Sequence, residues 1–341
     1  MQKGIGAKDR RIRKGELAVL NHKLMDSRRD RREAAAKQSA LANEENWAVC
    51  RRRVAGLMAV TVILIICFSR PLYDLAWYSV NRELYSYIPL IPLISLYLIW
   101  SKRRSLALAS RPVERVAVLP LLGGLATLAG YCWAQHAGWR PSTADYLAIM
   151  TLSFLLFFVA ASFVFLGPET LRTIAFPVGF LIFTVPFPGF LQSSVEYFLQ
   201  YSSAQAADVL FRASDAPIFR QGLVFNSPGF SFEVAPECSG IHSTFILFIT
   251  SLLAGHLFLR VPWHRVVLAL AVIPLAILRN GLRIFIIGQL CVRVSPNMIN
   301  SFIHRHGGPI FFAVSLIPFF LLLAILRKSE SRSGQAGKDI I

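Results

Sequence analysis

Apolar runs long enough to cross a bilayer recur along this chain, separated by short polar or basic stretches. A spanning helix needs roughly 20 predominantly apolar residues, with about 17 to 25 tolerated. Eight runs are candidates by that measure, over residues 54–69, 86–100, 116–135, 146–166, 173–192, 241–259, 266–288 and 308–327. The first two are short, so their ends draw on flanking residues. The pattern changes between the fifth and sixth runs. Val195, Phe198, Leu199, Val209 and Leu210 recur among Ser, Gln and Asp, which predicts an amphipathic helix lying along the membrane surface. Ile218 to Phe225 and Phe230 to Val234 then alternate like strands around Asn226-Ser227-Pro228-Gly229, the turn chemistry of a hairpin. The expected fold class is all-α and polytopic, with about eight transmembrane helices and a short strand-like segment before the sixth.

Composition agrees. Of 341 residues, 55% are hydrophobic and 16% charged, and the mean hydropathy is +0.52. Soluble domains carry about 25% charged residues, so this chain has too little polar surface for a water-soluble globule. The net charge of +17 would suggest nucleic acid in a soluble protein. Here Lys and Arg sit mainly at the ends of apolar runs, so no nucleic-acid partner is expected. Residues 1–53 hold 15 Lys/Arg against 7 Asp/Glu and form a basic arm expected on the cytoplasmic side. Alternation from there puts Lys102, Arg103, Arg104, Arg111 and Arg115 inside, together with Arg260, His264, Arg265 and the tail bearing Arg327, Lys328 and Arg332. Both termini are then cytoplasmic, and residues 196–238 lie outside. The first apolar run begins near Val54, too late for a cleaved secretion signal, and is expected to stay as the first membrane helix. Cys50, Cys67, Cys132, Cys238 and Cys291 show no regular ligand spacing, which argues against a disulfide framework or a zinc site. No cofactor is called for.

Three polar clusters interrupt the apolar sequence, and ionisable groups at membrane depth are functional candidates by default. Ala235-Pro236-Glu237-Cys238-Ser239-Gly240 precedes the sixth helix. A Cys there meets the positive end of a helix dipole, which favours thiolate; it also serves as an ordinary small apolar residue. Arg279-Asn280-Gly281-Leu282-Arg283 lies in the seventh helix, where spacing i, i+4 stacks two guanidiniums on one face. They are either stabilisers of a thiolate or oxyanion or a snorkelling pair at the helix edge. His304-Arg305-His306-Gly307-Gly308 opens the eighth helix, where a His can move protons near neutral pH. Alternation places all three clusters on one side of the membrane. Thiolate, cation and acid/base are the parts of covalent acyl transfer.

With those residues named, the chain resembles the exosortase/archaeosortase transmembrane transpeptidases. Pro236-Glu237-Cys238-Ser239-Gly240-Ile241 is similar to their nucleophile motif, Arg279-Asn280-Gly281-Leu282-Arg283-Ile284 to their RNxxR helix, and His304-xxx-Gly308-xxx-Phe312 to their HxxxGxxxF. The motifs occur in the family's order, and the similarity is strongest over residues 170–327. The resemblance implies Cys238 as nucleophile, Arg279 as essential arginine and His304 as histidine, with Glu237, Ser239, Asn280, Arg283 and His306 in support. His306 competes with His304 for its role, and Arg283 shares Arg279's face.

Charge and hydropathy divide off a basic arm (1–53), four N-terminal membrane helices (54–169) and a cytoplasmic tail (329–341), and the resemblance makes 170–328 an exosortase-like catalytic core. It implies a cysteine peptidase/transpeptidase of the inner membrane, active site outward, that cleaves C-terminal sorting signals of the PEP-CTERM type. The partners implied are exported proteins bearing a Pro-containing motif, a membrane helix and a basic end, within membrane lipid. Residues 215–237 are then suited to bind the short motif by strand pairing. Two rival readings are a membrane acyltransferase carrying a lipid acyl group on Cys238, and a transporter or exopolysaccharide-assembly scaffold with Arg279 and Arg283 lining an anionic path.

Overall fold

A computed structural model describes residue 49 and residues 51–103, 114–228, 230–295 and 308–336. Most of the basic arm and the cluster at 304–307 lie outside the described residues. Among those described, six helices are long and apolar enough to cross a membrane, or eight if two bent pairs each count as one span. That agrees with the eight runs in the sequence. In chain order the helices are α1 (Arg51–Cys67), α2 (Ser69–Asn81), α3 (Leu90–Ser101), α4 (Glu114–His136), α5 (Thr143–Thr173), α6 (Ala175–Phe180) and α7 (Gly189–Ala213). After three short strands come α8 (Ile241–Phe258), α9 (Pro262–Leu270), α10 (Val272–Arg293) and α11 (Gly308–Ala336).

The bent pairs correct the expected straight spans. Between α1 and α2 the axis turns 74°. Pro71 has no N–H to give to the Cys67 carbonyl, so the ladder fails there. The run at 173–192 is not one helix. After α6 and the 3-10 turn Leu181–Thr184, Val185 is extended, as a residue before proline tends to be, and the chain bends 90° into α7. The run at 146–166 ends where Gly167 takes φ 76° ahead of Pro168, kinking α5.

Polar contacts fix where the bent chain returns. Ser142 caps α5 by accepting from the Asp145 amide at 3.2 Å, and Asp145 Oδ1 accepts from the Gly189 amide at 2.8 Å. The start of α7 is thereby pinned to the start of α5. From there α7 packs along α10 through small residues. A Cβ at Gly281 would lie 2.7 Å from Ala206 Cβ, and one at Gly288 would enter the Phe211 ring. Close approach of this kind replaces the hydrophobic drive that lipid cannot supply. The amphipathic helix expected from about residue 196 is therefore the second half of α7, begun at Gly189, with Leu199, Ala204, Ala207 and Phe211 buried and Tyr197, Phe198 and Val209 exposed.

The expected hairpin is a three-stranded antiparallel meander, β1 (Phe219–Gln221), β2 (Val224–Ser227) and β3 (Phe230–Glu233). Gly222 takes φ 65° and splits the first apolar run into two strands, which alternation alone did not reveal. Phe225 and Phe232 are cross-strand partners whose rings stack at 5.3 Å. With Phe211 and Ile284 they form one core that seats the sheet on α7 and α10. β3 runs directly into the segment that carries Cys238.

Candidate active site

After β3 the chain makes a 3-10 turn over Pro236–Ser239, then passes through Gly240 at φ 69°, ψ 20° into α8. Proline at the head of the turn supplies a fixed φ and needs no amide partner. Glycine at its end adopts the left-handed conformation that costs an L-residue roughly 1–2 kcal/mol. Glu237 and Cys238 sit on this turn, and their side chains lie outside the described residues. Ser239 is buried, and its Oγ accepts from the Ile241 amide at 3.4 Å. On the other side of the turn, Gln200 Nε2 of α7 donates to the Val234 carbonyl.

The Gly240 carbonyl joins the first two clusters. It accepts from the Thr244 amide at 2.9 Å, Thr244 Oγ1 at 2.8 Å, Ser243 Oγ at 3.1 Å and Arg279 Nη2 at 3.3 Å. Arg279 Nη2 also donates to Thr244 Oγ1 at 3.3 Å. The guanidinium is thus held two residues from Cys238 in sequence. Arg279 is 7% exposed and Asn280 3%. Arg279 Nη1 is buried with no hydrogen-bond partner among the described residues. Since a buried charged donor left unmatched is costly, this N–H is a group that a developing negative charge would relieve. Arg283 stands one turn further along α10.

Two helices measure the depth of this contact. The 18 residues of α8 rise roughly 27 Å from its corner with α9, and the helical path from Pro262 to Arg279 rises roughly 26 Å. Both reach the same level, about one hydrocarbon thickness from the basic corner at Arg260 and Arg265. α10 continues beyond that level beneath the sheet. α11 ends at the basic corner, where Glu330 meets the Arg260 and Val261 amides, so its start at Gly308 belongs to the opposite end, that of the α8 N-terminus. His304 and His306 lie outside the described residues.

Further polar groups converge from segments in which the sequence reading marked no site. His242, the second residue of α8, is half-buried with Nε2 3.4 Å from Ser86 Oγ. Tyr85 is buried and donates to Gln192 Oε1 at 2.9 Å, while Gln192 Nε2 donates to Glu196 Oε1 at 3.0 Å. Gln192, Glu196 and Gln200 recur at i, i+4 and i+8 on α7, a one-face spacing that the sequence carried. No comparable signal marks Tyr85 or Ser86, which the 3-10 turn before α3 brings across.

The contact at Gly240 yields a prediction. A Cβ there would lie 3.0 Å from Arg279 Nη2 and 3.2 Å from Asn280 Oδ1, besides forcing an alanine into the left-handed region. Gly240→Ala is expected to insert at the normal level yet lose activity by about tenfold or more, the factor that follows from roughly 1.4 kcal/mol. Unchanged turnover at equal immunoblot level would show that the register of Gly240 against Arg279 does not matter.

Comparison with known proteins adds one finding. The model of a family described as transmembrane exosortase matches residues 77–321, well over half of the chain. No curated protein and no solved structure matches it.

Proposed function

The chain belongs to the transmembrane exosortase family, and from that membership together with the Arg279–Gly240 contact we propose that it is a membrane-embedded cysteine peptidase and transpeptidase. Its substrates are exported proteins carrying a C-terminal signal with a short Pro-containing motif, a membrane helix and a basic end. His304 takes the proton of the Cys238 thiol, and the thiolate sulfur attacks the carbonyl ahead of the departing segment. The oxygen gathers negative charge, the C–N bond breaks, the leaving amine takes a proton from His304, and a thioester remains on Cys238. Water or an amine acceptor then gives a proton to His304 and attacks the thioester; the C–S bond breaks, the product leaves, and His304 passes that proton to the Cys238 sulfur, restoring the thiol.

The single observation carrying this reading is the buried Arg279 guanidinium, fixed on the Gly240 carbonyl with Nη1 unpartnered among the described residues. A preorganised donor in a water-poor site is most effective where charge develops. The positive end of α8 adds to it, since the turn bearing Cys238 leads straight into that helix. Depth supports an active site at the outer face of the cell's inner membrane with both termini cytoplasmic. A substrate helix already in the bilayer then presents its outer end at that level.

The test is conversion of a membrane-inserted protein bearing such a signal. His304→Ala is expected to lose conversion while His306→Ala keeps most of it, with reporter fusions at residue 215 and at the C-terminus reading from opposite sides. No conversion by the wild-type enzyme would sink the proposal. The reverse histidine pattern would move the acid/base to His306.

A further inference from the structure

The basic corner at the far end of the bundle contains a second site. The connection from α8 to α9 and the last turns of α11 enclose a cavity of about 490 Å³ lined by His256, Arg260, Arg265, Arg327, Glu330 and Ser331. Three guanidiniums face one carboxylate, and that carboxylate is already committed. Glu330 Oε2 accepts from the Arg260 amide at 2.8 Å, and Oε1 accepts from the Val261 amide at 2.9 Å and meets His264 Nδ1 at 2.9 Å. Glu330 therefore serves the backbone ahead of α9 and leaves the arginines facing the hollow without another acidic counterpart in its lining among the described residues.

The arginines are also arranged to receive an anion. Arg265 spends Nε and Nη2 on the Leu259 carbonyl, at 3.0 and 2.8 Å, which holds its planar head at the corner with three of its five N–H donors uncommitted by that contact. Arg327 leans over the Phe258 ring at 5.9 Å, a contact that fixes its direction without using its donors. Arg260 is exposed at the rim. Around the same corner Leu257, Phe258, Val261 and Trp263 are 52%, 48%, 41% and 68% exposed. A hollow of cations bordered by exposed aliphatic and aromatic side chains suits a ligand with a phosphate head and hydrocarbon tails, and Trp is favoured at that boundary.

We propose that this cavity binds the phosphate headgroup of an anionic phospholipid, whose tails lie against Leu257, Phe258 and Trp263. The bound phosphate bridges Arg327 of α11 to Arg260 and Arg265 of the α8–α9 corner, so it holds α11 in place against α8. This site is independent of the chemistry at Cys238.

The experiment uses the full chain in phosphatidylcholine nanodiscs, titrated with phosphatidylglycerol, with binding read by native mass spectrometry and thermal unfolding. Wild type is expected to retain the anionic lipid and to unfold several degrees higher with it. Arg260→Gln/Arg327→Gln is expected to bind it roughly 30-fold more weakly, the factor that follows from about 1 kcal/mol per surface cation. Ser331→Asp, which adds a negative charge to the lining and removes no arginine, is expected to weaken it as well. Lys328→Gln/Arg332→Gln removes equal charge from α11 outside the cavity and should leave most of the affinity. Equal loss in that control, or binding unchanged in the double arginine variant and in Ser331→Asp, would overturn the site. A stabilisation given by inorganic phosphate alone and lost in the double arginine variant would overturn the lipid as occupant.

Discussion

Cys238→Ala is expected to leave no measurable conversion of the substrate while the protein inserts and accumulates normally. The substitution changes one atom on a four-residue turn whose backbone is set by other residues: Pro236 at its head, buried Ser239, left-handed Gly240 and the Gly240–Arg279 contact. Packing is therefore little disturbed, and the loss falls on chemistry. Where a covalent nucleophile acts with its partners as a unit, removing it costs on the order of a million-fold. Cys238→Ser should be equally dead, since a serine hydroxyl ionises far less readily than a thiol and is the weaker nucleophile. Cys67→Ala is expected to be active because Cys67 is exposed near the end of α1, and Cys291→Ala because it lies in α10 two turns beyond Arg283. Processing that survives in Cys238→Ala, measured by substrate cleavage at equal enzyme level, would remove the cysteine mechanism.

The second large effect is expected at Arg279→Lys, with a loss of about 100- to 1000-fold, the usual consequence of removing one oxyanion donor. Lysine keeps the charge and changes the shape. Arg279 uses Nη2 to hold the Gly240 carbonyl and Thr244 Oγ1, while Nη1 has no partner among the described residues. A single ammonium cannot occupy both positions, because its donors radiate from one atom and not from a planar fork. Arg283→Lys is expected to be milder, since no contact to the Gly240 carbonyl depends on it. Full activity in Arg279→Lys would mean that charge alone suffices and that fork geometry is irrelevant.

Much of the fold was legible because lipid imposes a simple length rule on apolar runs. The eight runs correspond to six helices and two bent pairs. What the runs could not carry is direction. Hydropathy is unchanged when an axis turns 74° at Pro71 or 90° across Pro186 and Pro188, although the prolines themselves were visible. The meander was half legible: alternation and the Asn-Ser-Pro-Gly turn mark β3, whereas Gly222 inside an alternating run leaves the apolar pattern unbroken. At the site, the residue types at 238 and 279 stood out as polar breaks in apolar sequence. Alternation put both clusters on one side of the membrane, but the contact of Arg279 with Gly240 was not legible, because it is made by a main-chain carbonyl that any residue possesses. The face formed by Gln192, Glu196 and Gln200 was readable by spacing. It was obscured because the helix start was expected near residue 196, seven residues late, so its first polar member fell within a presumed span.

The central claim is a covalent acyl-enzyme on Cys238. The most direct measurement is peptide mass spectrometry of enzyme quenched during turnover with a signal-bearing substrate, with and without hydroxylamine, which cleaves thioesters. The account predicts that the peptide containing Cys238 gains the mass of the upstream substrate segment and loses it on hydroxylamine treatment, and that Arg279→Lys reduces the adduct. Turnover with no adduct on Cys238, or with the adduct on another residue, would contradict it.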